Sequence, residues 1–417
     1  MEKNREYQEM CDRLQKAANA CHLDDEIEII RQSGTEQEKK TLEMLLKPEN
    51  LPLSIQLADC IEADGKTKMD EADCLFEEIR RDENGKLIIG DGKEKPAISK
   101  AGDVLANRKD TVSLLQAIKD QDVPVYAMIA PAFSGQFSDK VDSGKLRTAF
   151  KRLGFYGMVE VALFADVVTL KEALEFEHSI KSDKDFVLTS CCCPMWMALI
   201  RKNFTDLVPH IPPSVSPMVA CGRSIKRLHP KAITVFVGPC IAKKAEAKLP
   251  DIKDSTDYVL TFDEVAKMFK DADLDLASLP EDTKDHSSTA GRIYAHTGGV
   301  SKAVQMTFEH LCPDHKFPLR SIQANGIMEC KKLLADVQAG NIKANFMEGM
   351  GCIGGCVGGP RSLLSREEAT KHVDDYGAEA RYETPAENPY VLEILLRLGF
   401  DTVGSLLHND DIFTRDI

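Results

Sequence analysis

Through the first forty-seven residues apolar positions recur three or four apart, with Tyr7, Met10, Leu14 and Ala17 set among Glu, Lys and Gln. That spacing predicts helices that bury one face against something else. Between about Asp59 and Gly92 turn residues crowd in, as Ala63-Asp64-Gly65-Lys66, Asp82-Glu83-Asn84-Gly85 and Ile89-Gly90-Asp91-Gly92, and predict a small hairpin-bearing unit. From about Ser99 onward, short β-branched runs alternate with amphipathic segments. The runs 123–130, 185–189, 233–237 and 258–262 are bounded by turn residues and read as strands, most of them followed by helical spacing. This rhythm predicts an α/β fold: two α/β subdomains with mixed sheets flanked by helices, preceded by a small N-terminal α+β region. The expected divisions are a helical region over 1–47, a small module over 48–98 and the main domain over 99–417. Ligands in such folds sit at the carboxyl ends of strands.

Composition narrows the class. The chain has 417 residues, 43% hydrophobic and 29% charged, enough for several packed layers. A net charge of -14 argues against nucleic-acid binding, which needs a clustered basic face. No stretch of eighteen apolar residues suggests a membrane span, and the charged N-terminus lacks the apolar core of a signal peptide, so a cytoplasmic location is expected. Thirteen cysteines in a reducing compartment point to metal or redox chemistry rather than a disulfide framework.

Six of those cysteines fall in three glycine- and proline-bracketed clusters: Thr189-Ser190-Cys191-Cys192-Cys193-Pro194-Met195-Trp196, Gly238-Pro239-Cys240-Ile241-Ala242-Lys243-Lys244, and Gly349-Met350-Gly351-Cys352-Ile353-Gly354-Gly355-Cys356-Val357-Gly358-Gly359-Pro360. The first two follow predicted strand ends. Four thiolates suit a structural zinc or an iron-sulfur cluster, and the absence of paired Cys-x2-Cys knuckles speaks against zinc. The glycines between Cys352 and Cys356 let the main chain curl around something larger than one ion. Isolated cysteines such as Cys11, Cys21, Cys60, Cys74, Cys221, Cys312 and Cys330 are expected to act as small buried hydrophobes. Glu172 and Glu175, three apart on a predicted helix, share a face, either solvated or part of a proton path.

In order and separation, the three clusters resemble the signature segments of iron-only (FeFe) hydrogenases, over roughly Val123 to Phe400. The resemblance implies a 4Fe-4S cluster on Cys193, Cys240, Cys352 and Cys356, with Cys356 shared with a two-iron unit that carries CO, CN and a bridging dithiolate amine. Two adjacent cysteines are usual after Thr-Ser, and this chain has three. Anchoring on Pro194 and Trp196 makes Cys193 the ligand, Cys192 the proton-shuttling thiol and Cys191 the inserted residue; anchoring on Thr189-Ser190 shifts the first two roles one residue earlier. The separation from Trp196 to Ser216-Pro217 favours the former. Glu172 and Glu175 fall at the family's relay positions, but Pro212 holds the place of its relay serine, which implies water beyond Glu175.

By the same resemblance, Lys243 supplies positive charge to a cyanide, Glu246 is its segment's acidic partner, and Met350 packs over the two-iron unit. Ala130 and Pro131 belong to the loop that cradles the dithiolate, with Ala132 where a serine is common. The stretch 64–75 resembles the entry to a ferredoxin module from which only Cys74 remains, so electrons are expected directly from a docked ferredoxin-like carrier. The basic run Arg223–Lys231 is a candidate docking patch, or else a helix end whose cations suit the dipole. The expected partners are H2, protons, that carrier and maturation proteins for the two-iron unit, with no nucleic acid or membrane. The Gly-Pro-Cys and Gly-Met-Gly-Cys forms resemble divergent and sensory branches. The expected activity is reversible conversion of two protons and two electrons to H2; a hydrogen sensor of low turnover and a scaffold holding only a 4Fe-4S cluster are the alternatives.

Overall fold

The computed structural model describes residues 2–63, 75–76, 78–90, 92, 109–408 and 411–417. Cys74 and the 64–74 stretch of the expected ferredoxin remnant lie outside the described residues. The first segment forms three helices, Glu2–Ala18, Leu23–Ser33 and Glu36–Leu45, whose apolar stripes close a separate core around Leu14, Ile30, Leu42 and Leu45. The third begins with a capping box between Thr35 and Glu38. A fourth helix, Leu53–Ala63, joins this bundle to the rest; Leu53 N donates to Asp401 O and Gly404 N to Glu49 O. The expected hairpin survives as an antiparallel bridge between Arg81 and Leu87.

Among the described residues two sheets form, both from Val125 onward. Strands β1 (Val125–Ile129), β2 (Gly157–Glu160), β4 (Ile233–Gly238) and β5 (Tyr258–Thr261) lie in the order β2-β1-β4-β5. Strands β3 (Val187–Leu188), β6 (Ser321–Asn325) and β7 (Phe346–Met350) lie in the order β3-β7-β6. Within these two sheets every pairing among the described residues is parallel, where the sequence reading expected mixed sheets. Parallel strands need crossovers, and the intervening helices supply them while covering the sheets.

The helix Val161–Ser179 leads directly out of β2 and contacts helices of both halves, Pro217–Leu228 and Gly299–Leu311. Every side chain from Val161 to Phe176 is buried, so this helix has no solvent stripe. Its polar residues therefore need partners inside the protein. Asp166 finds them in Ser288, Arg147 pairs with Glu160 at the helix entry, Glu172 reaches the first cysteine loop at Cys191, and Glu175 is met by Ser214. No helix among the described residues is long and apolar enough to cross a membrane.

Candidate functional site

Each cysteine cluster is set by the turn that ends a strand. After β3 the chain turns at Ser190, whose φ of 69° is left-handed, and Cys193 then precedes the helix Pro194–Asn203 with proline at its first position. After β4, Pro239 and Cys240 lead into a short turn of helix, Lys243–Glu246, whose Lys243 and Ala242 amides point at the Cys240 sulfur. After β7 the chain passes Cys352, reverses through Gly354 and Gly355 at φ 90° and 82°, and reaches Cys356. A Cβ on Gly355 would lie 2.7 Å from the Thr297 amide nitrogen, so this curl requires glycine twice over.

The three turns converge. Cys356 interacts electrostatically with Cys240, Cys193 and Cys352, and Cys352 with Cys240 and Cys193. The Gly351 amide donates to Cys193 Sγ at 3.3 Å. Burial, then the neighbouring thiols, push Cys352 up to about 11 and Cys356 higher still. Four neighbouring sulfurs from three turns are a donor set for a cationic centre, which would favour their thiolate forms. No group of three or more His, Cys, Asp or Glu among the described residues is arranged to hold a single metal ion. Neighbouring thiols on glycine-rich turns leave room for a group larger than one ion, as an iron-sulfur cluster would need.

Beside the thiols lies Lys243, 6% exposed, with its Nζ 2.7 Å from Glu246 Oε2; Ser216 donates to the other carboxylate oxygen at 2.6 Å. Glu246 is thus the partner that holds the buried ammonium. Although burial works against its charge, Glu246 and the neighbouring thiols leave Lys243 raised above the usual lysine range. Ala130 follows β1, Pro131 opens a turn of 3-10 helix, and Ala132 is fully buried. A Cβ on Gly238 would come within 3.0 Å of Ala130 Cβ, so the ends of β1 and β4 meet tightly beside Cys240. Met350 ends β7, is 1% exposed, and its carbonyl accepts from Gly326 N and the Cys330 thiol.

The relay region departs from expectation at three points. Cys191 is the thiol in contact with Glu172, with Sγ 3.3 Å from Oε1 and 3.2 Å from Val215 O, where the Pro194 anchoring gave the shuttle to Cys192. Cys192 interacts instead with Cys356, Cys193 and Lys243 and, more weakly, with Glu172. The extra cysteine is therefore packed against Glu172 and not looped aside. Second, Pro212 leaves no gap beyond Glu175, because Ser214, two residues on, donates its hydroxyl to Glu175 Oε2 at 2.9 Å. Third, Lys171 Nζ lies 3.1 Å from Glu175 Oε1, a partner that sequence reasoning missed. The signal was present, since a lysine four residues before a glutamate in an otherwise apolar helix has nowhere else to place its charge.

Glu172 also accepts a hydrogen bond from Thr189 Oγ1. Burial lifts it to about 7, with the Glu175 charge adding and the Thr189 hydroxyl opposing.

Three cations of the candidate docking run Arg223–Lys231 have acidic partners within the chain. Arg223 is tied to Asp254 at 3.1 Å, Lys226 to Asp257 at 2.8 Å, and Arg227 faces Asp411 at 3.8 Å, so the run neutralises acidic neighbours of its own chain. Among the isolated cysteines, Cys11, Cys221 and Cys330 are buried as expected, Cys60 and Cys312 only partly, and Cys21 is exposed.

Residues 123–360 match the family described as the iron only hydrogenase large subunit, C-terminal domain. The periplasmic Fe hydrogenase large subunit of Nitratidesulfovibrio vulgaris is 32% identical over 292 residues, covering 58% of this chain and 69% of that one. Iron hydrogenase 1 of Clostridium pasteurianum is 30% identical over 277 residues, covering 56% of this chain; the chain spans only 48% of that relative. Cytosolic iron-sulfur assembly component 3 of Bos taurus is 26% identical over 357 residues, covering 70% of this chain and 75% of that one. Among solved structures, the FeFe-hydrogenase HydA1 of Chlamydomonas reinhardtii shares the fold at a TM-score of 0.57 and 22% identity, covering 76% of this chain and 98% of that one.

Proposed function

We propose that this chain, which belongs to the iron-only hydrogenase large-subunit family, is an oxidoreductase that interconverts H2 with two protons and two electrons, with low turnover. The observation that carries the reading is the meeting of two features at one place: four thiols from three segments, and a buried acid-thiol pair, Glu172 and Cys191, beside them. Cys193, Cys240, Cys352 and Cys356 would hold a 4Fe-4S cluster, with Cys356 shared with a two-iron unit. When bound, that assembly supplies the electrons and the site of hydrogen chemistry.

The chain's own residues then have three tasks. Lys243, fixed by Glu246 and Ser216, presents a buried positive charge and donors to an anionic ligand. The turn after β1, from Ala130 to Ala132, closes the pocket against water. Cys192 and Cys191 pass a proton outward to Glu172, whose lift to about 7 lets it hold or release that proton near neutrality. A ferredoxin-like carrier is the expected electron donor to that assembly.

A second reading, an assembly relative that holds only the 4Fe-4S cluster, is favoured by the 75% coverage of the bovine assembly component. Infrared spectroscopy of the protein produced with the two-iron maturation proteins separates the two. Bands of metal-bound CO and CN, with H2 evolution from a reduced dye, are expected. A protein holding about four irons without such bands is the assembly relative, and the hydrogenase reading fails.

A further inference from the structure

We propose that Lys171 is a positioning residue that holds Glu175 as a carboxylate and so throttles proton exchange between the metal pocket and solvent. The throttle rests on the hydrogenase reading; the lock on Glu175 does not. Lys171 is 1% exposed and Glu175 8%, and their charged atoms lie 3.1 Å apart. The ammonium is fixed from its other side by Leu406 O, which accepts from Nζ at 2.7 Å. Ser214 donates to the second Glu175 oxygen, so both carboxylate oxygens face donors.

A relay acid works by alternating between its two protonation states. For a proton to step outward, Glu172 must lose it and become a carboxylate while Glu175 gains it and becomes a neutral acid; Lys171 keeps its own proton throughout. That step breaks a buried ion pair and leaves the Lys171 charge without its counterpart, the costly half of any buried pair. It also creates a carboxylate at Glu172, buried near Glu348. The inner acid is therefore free to change state, and the outer one, one helical turn along, is not.

The test replaces Lys171 with glutamine, which keeps a donor for Leu406 O and Glu175 but removes the charge; Lys171→Arg keeps the charge. In metal-free protein at pH 7, the infrared C=O stretch of a protonated carboxyl, assigned to Glu175 by its loss in Glu175→Gln, is expected in Lys171→Gln and absent in the wild type and Lys171→Arg. In matured protein, H2/D2O exchange is expected to rise roughly tenfold or more in Lys171→Gln, one pKa unit being tenfold in the protonated population, and to stay near wild type in Lys171→Arg. If Lys171→Gln fails to fold, Lys171→Met is measured in the same way.

A Glu175 acid band already present in the wild type, or none in Lys171→Gln, overturns the lock. A band with unchanged exchange overturns the throttle. Matured protein with no exchange in any variant overturns the hydrogenase reading and the throttle with it, and the band still decides the lock.

Discussion

Asp166 shows what burial does to a single carboxyl in this protein. It sits in the fully buried stretch of the helix Val161–Ser179 and accepts from the Ser288 amide at 2.7 Å and from the Ser288 hydroxyl. Burial dominates and lifts it to about 7, against the opposing Ser288 hydrogen bonds and the Arg292 charge. An unfolded aspartate titrates near 3.9, so between about pH 4 and pH 7 the folded protein holds a proton that the unfolded chain has lost. Stability from this group is fully present below the lower value and falls as pH rises through the upper one. Asp166→Asn removes the titration and keeps an acceptor for Ser288. Between pH 5 and pH 8 the wild type is expected to lose about 2–3 kcal/mol more than the variant, read from urea midpoints at the two pH values. Parallel pH dependence in the two proteins would mean that Asp166 stays ionised in the fold.

At the scale of elements, strand β7 and the helix Pro194–Asn203 set the position of the first cysteine loop. A Cβ on Gly349 would lie 2.1 Å from the Trp196 ring, so the indole lies flat on the strand. Its Nε1 donates to Thr189 O at 2.7 Å, which pins the turn that presents Cys191 to Cys193. Gly349→Ala must push the ring aside. The expected result is a loss of about 1–3 kcal/mol, together with a shift in the emission of the protein's single tryptophan. An unchanged spectrum and an unchanged midpoint would show that the ring has room.

These elements also show what the sequence could and could not reveal. Strands β1, β3, β4 and β5 were legible because continuous apolar runs end at turn residues. Strand β7 was not, since Phe-Met-Glu-Gly-Met carries a glutamate whose partners, the Gly298 and Ser301 amides, come from a distant helix start. Strand β6 stays partly open to solvent and reads as Ser-Ile-Gln-Ala-Asn, too polar for a strand signal. The cysteine turns announced themselves through glycine and proline. The Ser214 contact to Glu175 did not, because it depends on how a loop folds back on a helix thirty-nine residues away.

The whole molecule places Cys240 at the end of the four-stranded sheet, while Cys193, Cys352 and Cys356 follow strands of the three-stranded sheet. A cluster held by all four would therefore cross-link the two sheets, and its binding energy would appear as folding stability, since the unfolded chain presents no such site. Adding iron and sulfide to the metal-free protein under reducing conditions is expected to raise the thermal midpoint. Ligand at about a thousand times its dissociation constant adds about 4 kcal/mol, which in a chain of this size is on the order of 5 °C. Cys240→Ala leaves the three-stranded sheet's thiols in place but removes the link between the sheets, so its increment should largely vanish. Cys221→Ala is the control: that cysteine is fully buried in the helix Pro217–Leu228, away from the thiol loops, so the variant should start less stable yet gain the full increment. A Cys240→Ala protein that gains as much as the wild type would mean that the cluster is anchored to one sheet alone, and the cross-link through the strand ends would be wrong.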